Sequence, residues 1–245
     1  MKGNIFKMAN ASILILAGVM SFNACADIVI SGTRIIYSSK SKDVTVNLEN
    51  KGNKPLLVQS WLDDGRDAVN PQELKIPFII TPPVTRVDAH KGQTVRITWL
   101  GQNVPQDRES LFWFNVLEVP PKAQGADTQN LLQVAFRTRI KLFFRPNGLK
   151  GTPEEAVKHL KWSVTSSAGS YYLTAKNDSP YNVSIASADL VVGGKKYSTE
   201  SHSIKPFSNQ NMKIKNGASV SSGTVKFVSI NDFGGTEDNQ ANLNN

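Results

Sequence analysis

The 245-residue sequence predicts an all-β protein made of two β-sandwich domains of immunoglobulin type. Three observations carry this expectation. Short runs rich in Val, Ile, Thr, Tyr, Phe and Trp recur at regular intervals between clusters of Gly, Pro, Asn, Asp and Ser. The runs fall into two series that part at "NGLKGT", residues 147–152. A single segment, "TPEEAVKHL" from Thr152 to Leu160, has a helical look, with Thr152 as N-cap, Pro153 in the first turn and acids following.

Residues 1–26 form a candidate secretory leader. Lys2 and Lys7 precede the short apolar run "SILILAGVM", and Ala24-x-Ala26 offers a cleavage site before Asp27. Cleavage there removes 26 residues and two lysines, leaving 219 residues and lowering the net charge from +8 to +6. The single cysteine, Cys25, leaves with the leader; Phe22, three residues before it, argues against a lipid-anchored cysteine. The exported chain then has no disulfide, so its domains must hold together by their cores. No later run is long and apolar enough for a transmembrane helix, and membrane insertion is not expected.

The first series runs through "DIVISGTRIIY", "KDVTVNLEN", "PLLVQSWLDD", "IPFIITPPV", "QTVRITWL", "SLFWFNVLEVP" and "LLQVAFRTRIKLFFRP". "VTVNLEN" alternates as a strand with one buried face should. Pro82-Pro83 should end or kink its strand and is a candidate for a cis bond. The second series is "LKWSV", "YYLTAKN", "YNVSIASADLVV", "KKYST", "QNMKIKN" and "GTVKFVSIND". The expected boundaries are residues 27–147 for the first domain, 148–236 for a smaller second domain, and 237–245 for a frayed, disordered tail, since the ending is polar and aperiodic.

Catalysis finds little support. His90, His159 and His202 lie far apart and at no metal-ligand spacing, no cysteine survives the leader, and no Gly-x-Ser-x-Gly, Ser-x-x-Lys or phosphate-binding loop occurs. No enzyme, cofactor or metal is expected. "DDGRD", Asp63 to Asp67, is better explained as a solvated hairpin turn than as a calcium loop. Without a dense Lys/Arg block or interleaved aromatics, nucleic acid is not an expected partner.

The last run of the first series poses a question. Along Leu131–Pro146, one alternating set is Leu132, Val134, Phe136, Thr138, Ile140, Leu142 and Phe144, while the other carries Arg137, Arg139, Lys141 and Arg145. By pattern alone the apolar set is one core-facing side of a sandwich strand, and the cations are solvated.

"VPQDRESLFWFNVLEVPP", Val104 to Pro121, closely resembles the signature of the periplasmic pilus-assembly chaperones. "GTRIIY" (32–37), "TPPV" (81–84), "RIKLFFRP" (139–146), "NDSPYNV" (177–183) and "INDFGG" (230–235) resemble other motifs of that family, in order and over nearly the whole exported chain. The resemblance implies two immunoglobulin-like domains in an L or boomerang arrangement. It also implies a periplasmic location and binding of pilin or fimbrial subunits, with delivery to an outer-membrane usher. In the family the seventh strand is donated to a subunit that lacks one, a pairing that is also a standard example of strand addition. Residue by residue, Leu132, Val134 and Phe136 would fill the subunit's groove, with Asn130 at the next position out. Arg34 and Lys141 would bind the subunit's C-terminal carboxylate. Glu109, Arg145 and Asp232 would form a salt-bridge network between the domains. The short connection "PKAQGADTQ" (121–129) resembles that of the short-loop members.

Fully burying three such apolar side chains gains about 5–9 kcal/mol before ordering costs. The apolar contacts should therefore dominate affinity while the carboxylate sets register, because a one-residue slip reverses the faces. Two other classes remain: a secreted two-domain adhesin or structural protein, and a periplasmic enzyme on an immunoglobulin scaffold. The sequence leaves open the cognate pilin and whether the free protein self-associates through its donor strands.

Overall fold

The computed structural model describes residues 27–101, 104–121, 134–199, 202–214 and 222–243. Among the described residues, nine strands form the first sandwich: β1 Ile28–Ile30, β2 Arg34–Ser38, β3 Asp43–Asn50, β4 Leu56–Asp63, β5 Phe78–Thr81, β6 Val84–Val87, β7 Gly92–Trp99, β8 Ser110–Val119 and β9 Phe136–Arg145. One sheet has the order β1-β3-β7-β5 and the other β2-β9-β8-β4-β6. The opening run is thus not one strand. β1 pairs antiparallel with β3, and β2 pairs parallel with β9 in the opposite sheet. Gly32, at φ +99°, lies between them in a conformation that costs glycine little.

The strand β9 also differs from the expected span. Its ladder begins at Phe136; Val134 and Ala135 precede it without ladder pairing, and residues 122–133, including Asn130 and Leu132, lie outside the described residues. The Thr81–Pro82 bond is cis, and the chain passes from β5 to β6 there.

Alternation places Ile35, Tyr37, Val46, Leu48, Val95, Ile97, Phe112, Phe114, Leu142 and Phe144 between the two sheets. Tyr37 ties this core to its rim: its hydroxyl accepts from the Trp99 amide at 3.0 Å and donates to the Lys42 carbonyl at 2.9 Å.

The expected helix is present as α1, Pro153–Lys158, with a reciprocal capping box between Thr152 and Glu155. The second sandwich follows with β10 Lys161–Ser167, β11 Ser170–Asn177, β12 Val183–Val192, β13 Lys195–Ser198, β14 His202–Ile204, β15 Ser208–Lys213, β16 Thr224–Ile230 and β17 Thr236–Asn242. Its sheets are β10-β11-β15 and β13-β12-β16-β17, with β14 also paired to β12. Trp162 is fully buried in its core against Phe227.

The polar ending expected as a frayed tail over residues 237–245 is a strand as far as Asn242, and residues 244–245 lie outside the described residues. Residues 236–242 form β17, paired with β16 at every position from Thr236↔Ile230 to Asn242↔Thr224. Apolar periodicity could not announce this strand, because an edge strand exposed on one side is held by main-chain hydrogen bonds and tolerates polar side chains.

Candidate functional site

The two faces of β9 have separate fates. Ile140, Leu142 and Phe144 enter the core, and Phe136 lies on that same face but beyond the core, with 50% of its surface exposed. Val134, just before the strand, is equally open at 51%. The cations point away from the core, and tryptophans and acids receive them.

Arg137 stacks over Trp61 at 5.0 Å and Arg139 over Trp113 at 4.4 Å. Both reach Asp63, which is buried. Arg139 donates from Nε to Asp63 Oδ2 at 3.0 Å and from Nη2 to Oδ1; the Asn115 amide donates to Asp63 Oδ2 at 2.8 Å. Arg137 in turn donates to the Asn115 side-chain oxygen at 2.7 Å. Asp63 is therefore not the solvated turn residue expected from "DDGRD". Burial works against its charge, but the Arg139, Asn115 and Gly65 hydrogen bonds outweigh it and hold the carboxyl below its usual range. The signal lay in the alternation: Asp63 ends β4 with its side chain on the face where β8 and β9 place Asn115 and Arg139.

Lys141 continues the same stripe toward the second domain. On the parallel pair β2–β9 it is the register partner of Arg34. Its ammonium lies 5.6 Å from the Trp113 ring centre and donates to Ser184 Oγ at 3.4 Å and to Ser203 Oγ. Arg34 donates from Nη1 to the Ile230 carbonyl at 3.0 Å, lies 5.8 Å over the Phe143 ring, and has a buried Nε that meets no acceptor among the described residues. Among those residues neither cation has a carboxylate within 4.0 Å. Burial, reinforced by the Arg34 charge, lowers the Lys141 pKa from 10.5 to about 8. Burial also lowers Arg34, against the pull of Asp232. Two partly desolvated cations that no carboxylate among the described residues contacts directly, with Asp232 acting on Arg34 from beyond 4.0 Å, leave hydrogen-bonding capacity for an anion.

The third predicted group also assembles. Arg145, at the end of β9, donates from Nε to Glu109 Oε1 at 2.6 Å and bidentately to Asp232 at 2.7 and 3.0 Å. Glu109 is buried and its Oε2 accepts the Asn182 amide at 2.9 Å, while its own amide donates to the Pro180 carbonyl at 2.9 Å. Burial pushes the Glu109 carboxyl up despite Arg145; it also opposes the Arg145 charge, which Asp232 and Glu109 more than restore. Glu109 and Arg145 come from the first sandwich and Asp232 and Asn182 from the second, so the network spans the junction. Asn177 shapes the loop that presents Asn182, donating to the Tyr181 and Lys205 carbonyls. The Tyr181 ring lies 5.5 Å from the Arg145 guanidinium. Asn182, Tyr181, Ser184, Ser203 and Trp113 were not singled out from sequence, and Asp63 was noted only as a turn residue. The first three adjoin or lie in "NDSPYNV", but Ser203 carries no sequence signal.

No group of three or more metal-ligating side chains converges among the described residues, and no helix there is long and apolar enough to cross a membrane.

Comparison with known proteins supplies the context. Residues 27–150 match the model of the pili and flagellar-assembly chaperone, PapD N-terminal domain, and residues 155–241 that of the pili assembly chaperone PapD, C-terminal domain. The Escherichia coli K12 protein named "Probable fimbrial chaperone YadV" is 50% identical over 241 residues, covering 97% of this chain and 98% of its own length. A crystal structure of the YadV chaperone superposes with a TM-score of 0.78 over 89% of this chain and all of that one. The SafB chaperone of Salmonella enterica, solved in complex with the SafA pilin, is 30% identical with a TM-score of 0.74, over 91% of this chain and 99% of that one. Family models over both sandwiches and a half-identical relative along nearly the full length agree: the chain belongs to the PapD family of pilus-assembly chaperones.

Proposed function

We propose that this protein is a periplasmic chaperone that captures fimbrial subunits by donating a strand, holds their C-terminal carboxylate between Arg34 and Lys141, and delivers them to an outer-membrane usher. One observation carries the reading. From Lys141 to Phe144, β9 has β2 on one side and β8 on the other, but from Phe136 to Ile140 it has β8 alone among the described residues. An open strand edge is an aggregation hazard unless a partner covers it. Here the open half carries half-exposed Phe136, follows exposed Val134, and leads to Arg34 and Lys141, neither of which has a carboxylate within 4.0 Å among the described residues.

The roles divide by physics. Main-chain pairing along residues 136–140 and alternate apolar side chains give affinity, and Asn130 and Leu132 would extend that contact. The cation pair fixes the subunit's end, and hence its register. The network of Glu109, Arg145 and Asp232 holds the two domains at the angle that forms the cleft. The relative solved with a pilin supports the subunit as partner. Usher delivery follows from family membership, and periplasmic residence is supported by family membership and the leader-like residues 1–26.

The test is co-expression with candidate fimbrial subunits and co-purification from periplasm, comparing wild type with Arg34→Ala and Lys141→Ala. Retention by wild type and loss by folded variants supports the assignment. Equal retention by all three makes Arg34 and Lys141 ordinary strand cations, and capture of no subunit favours an adhesin or structural protein.

A further inference from the structure

Lys141 is held by two hydroxyls from the other domain, and those hydroxyls are neighbours by construction. Ser184 on β12 and Ser203 on β14 are direct register partners, so their side chains emerge side by side on one face. Both oxygens accept from the Lys141 ammonium. A hydroxyl has one donor as well as two acceptor sites. While it accepts from Lys141, each serine keeps its O–H hydrogen for another acceptor. No further side-chain hydrogen bond engages either Oγ among the described residues. Ser184 is buried, so that donor has little access to bulk water.

Around this spot lie the Arg34 guanidinium, with a buried Nε lacking an acceptor, the Lys141 ammonium, and these two O–H groups. Every one of them can donate; Asp232 and Glu109 line the neighbouring pocket, but among the described residues no carboxylate comes within 4.0 Å of either cation, and Asp232 acts on Arg34 only from farther off. An aspartate at either serine position would have neutralised Lys141 internally and left nothing for a ligand. A serine steadies the ammonium while the site is empty and leaves it charged for an arriving anion.

We propose that Ser184 and Ser203 are direct ligands of the subunit's terminal carboxylate, each donating its O–H to a carboxylate oxygen while bound to Lys141. The carboxylate site is then a two-domain site, with cations from the first sandwich and hydroxyls from the second. This inference rests on the carboxylate role proposed for Arg34 and Lys141, and deepens it.

The experiment uses the full exported chain and the fimbrial subunit retained in the co-purification above, prepared with a free C-terminal carboxylate and with a C-terminal amide. Dissociation constants are measured for wild type, the double variant Ser184→Ala/Ser203→Ala, and Ser203→Thr. Wild type should prefer the free acid. The double variant should weaken binding of the acid by roughly tenfold to a hundredfold, the range for losing hydrogen bonds to a charged group, with little change for the amide. Ser203→Thr, which keeps the hydroxyl, should stay close to wild type. An unchanged preference for the acid in the double variant overturns the proposal. So does equal weakening of both forms, which marks the serines as supports of the fold. If wild type binds acid and amide alike, the carboxylate role of Arg34 and Lys141 fails first and takes this inference with it.

Discussion

Arg34 and Lys141 stand side by side as register partners on adjacent parallel strands, and among the described residues neither meets a carboxylate within 4.0 Å. Adjacent like charges are unfavourable, and partial burial makes them more so. The arrangement is intelligible if an anion completes it.

The lowered Lys141 pKa makes that anion's binding pH-dependent. The free protein holds Lys141 near 8 rather than 10.5, and a carboxylate partner favours the protonated form, raising the value on binding. Affinity for a subunit should be fully developed below about pH 8 and fall as pH rises from 8 toward 10.5, approaching tenfold per unit at most. Folding has the opposite sense. A lysine whose pKa is depressed in the folded state costs stability below pH 8, and that cost fades as pH rises to 10.5. Lys141→Met should therefore stabilise the free chain at neutral pH by about 1–2 kcal/mol, allowing for partial solvation, and abolish the pH dependence of subunit binding. Calorimetric titration across this range checks the first expectation, and urea unfolding the second.

Glu109→Gln should cost stability through the domain junction. The substitution removes a buried charge from Arg145 but leaves the bidentate Asp232 contact in place. Breaking one arm of a buried ion pair costs several kcal/mol, and with Asp232 still paired we expect about 2–4 kcal/mol. Urea denaturation measures this; a loss below ~0.5 kcal/mol would class the contact with surface ion pairs.

Asp63→Asn should leave Arg137 and Arg139 around a neutral amide. Their stacking on Trp61 and Trp113 remains, so the expected loss at neutral pH is about 2–4 kcal/mol. The Asp63 pKa is depressed in the folded state, so its contribution is present above the ordinary value of 3.8 and disappears as pH falls through the folded value. The gap between wild type and variant, read from unfolding curves, should therefore close in acid. A gap that persists once the folded-state carboxyl is itself protonated would contradict the charge-based account.

Phe136→Ala tests the apolar half of the proposed interface. The ring is half-exposed in the free protein, so a subunit can bury only what remains open. That limits the expected loss of affinity to about 1–2 kcal/mol, roughly fivefold to thirtyfold, with little change in the stability of the free chain. Competition against labelled wild-type protein gives the ratio directly.

Removing residues 236–245 should destabilise the second sandwich, since β17 pairs with β16 along its whole length and Ala241 and Leu243 pack against the core. A truncated chain with an unchanged melting temperature would restore the polar ending to the status of a dispensable tail.

Local pattern carried most of the first sandwich. "VTVNLEN" became β3 with Val46 and Leu48 inward, and Thr152, Pro153 and Glu155 specified the start of α1 by capping chemistry that depends on four neighbouring residues. The ordered motifs placed Arg34, Lys141, Glu109, Arg145 and Asp232, because each lies inside a run whose resemblance spans many residues. β17 escaped notice, since an edge strand of Thr, Glu, Asp and Asn has no apolar period to read.

What the sequence alone determined was the alternation along each strand, and with it the fact that Leu142 and Phe144 face one way while Arg139 and Lys141 face the other. What only the tertiary structure decided was who meets them. Asp63 lies 76 residues from Arg139, and Ser203 lies 62 residues from Lys141. Strand order and register, fixed by the joint packing of two cores, set those meetings. Periodicity fixes the face a side chain takes, but the partner across the sheet or cleft depends on long-range pairing that no local window contains.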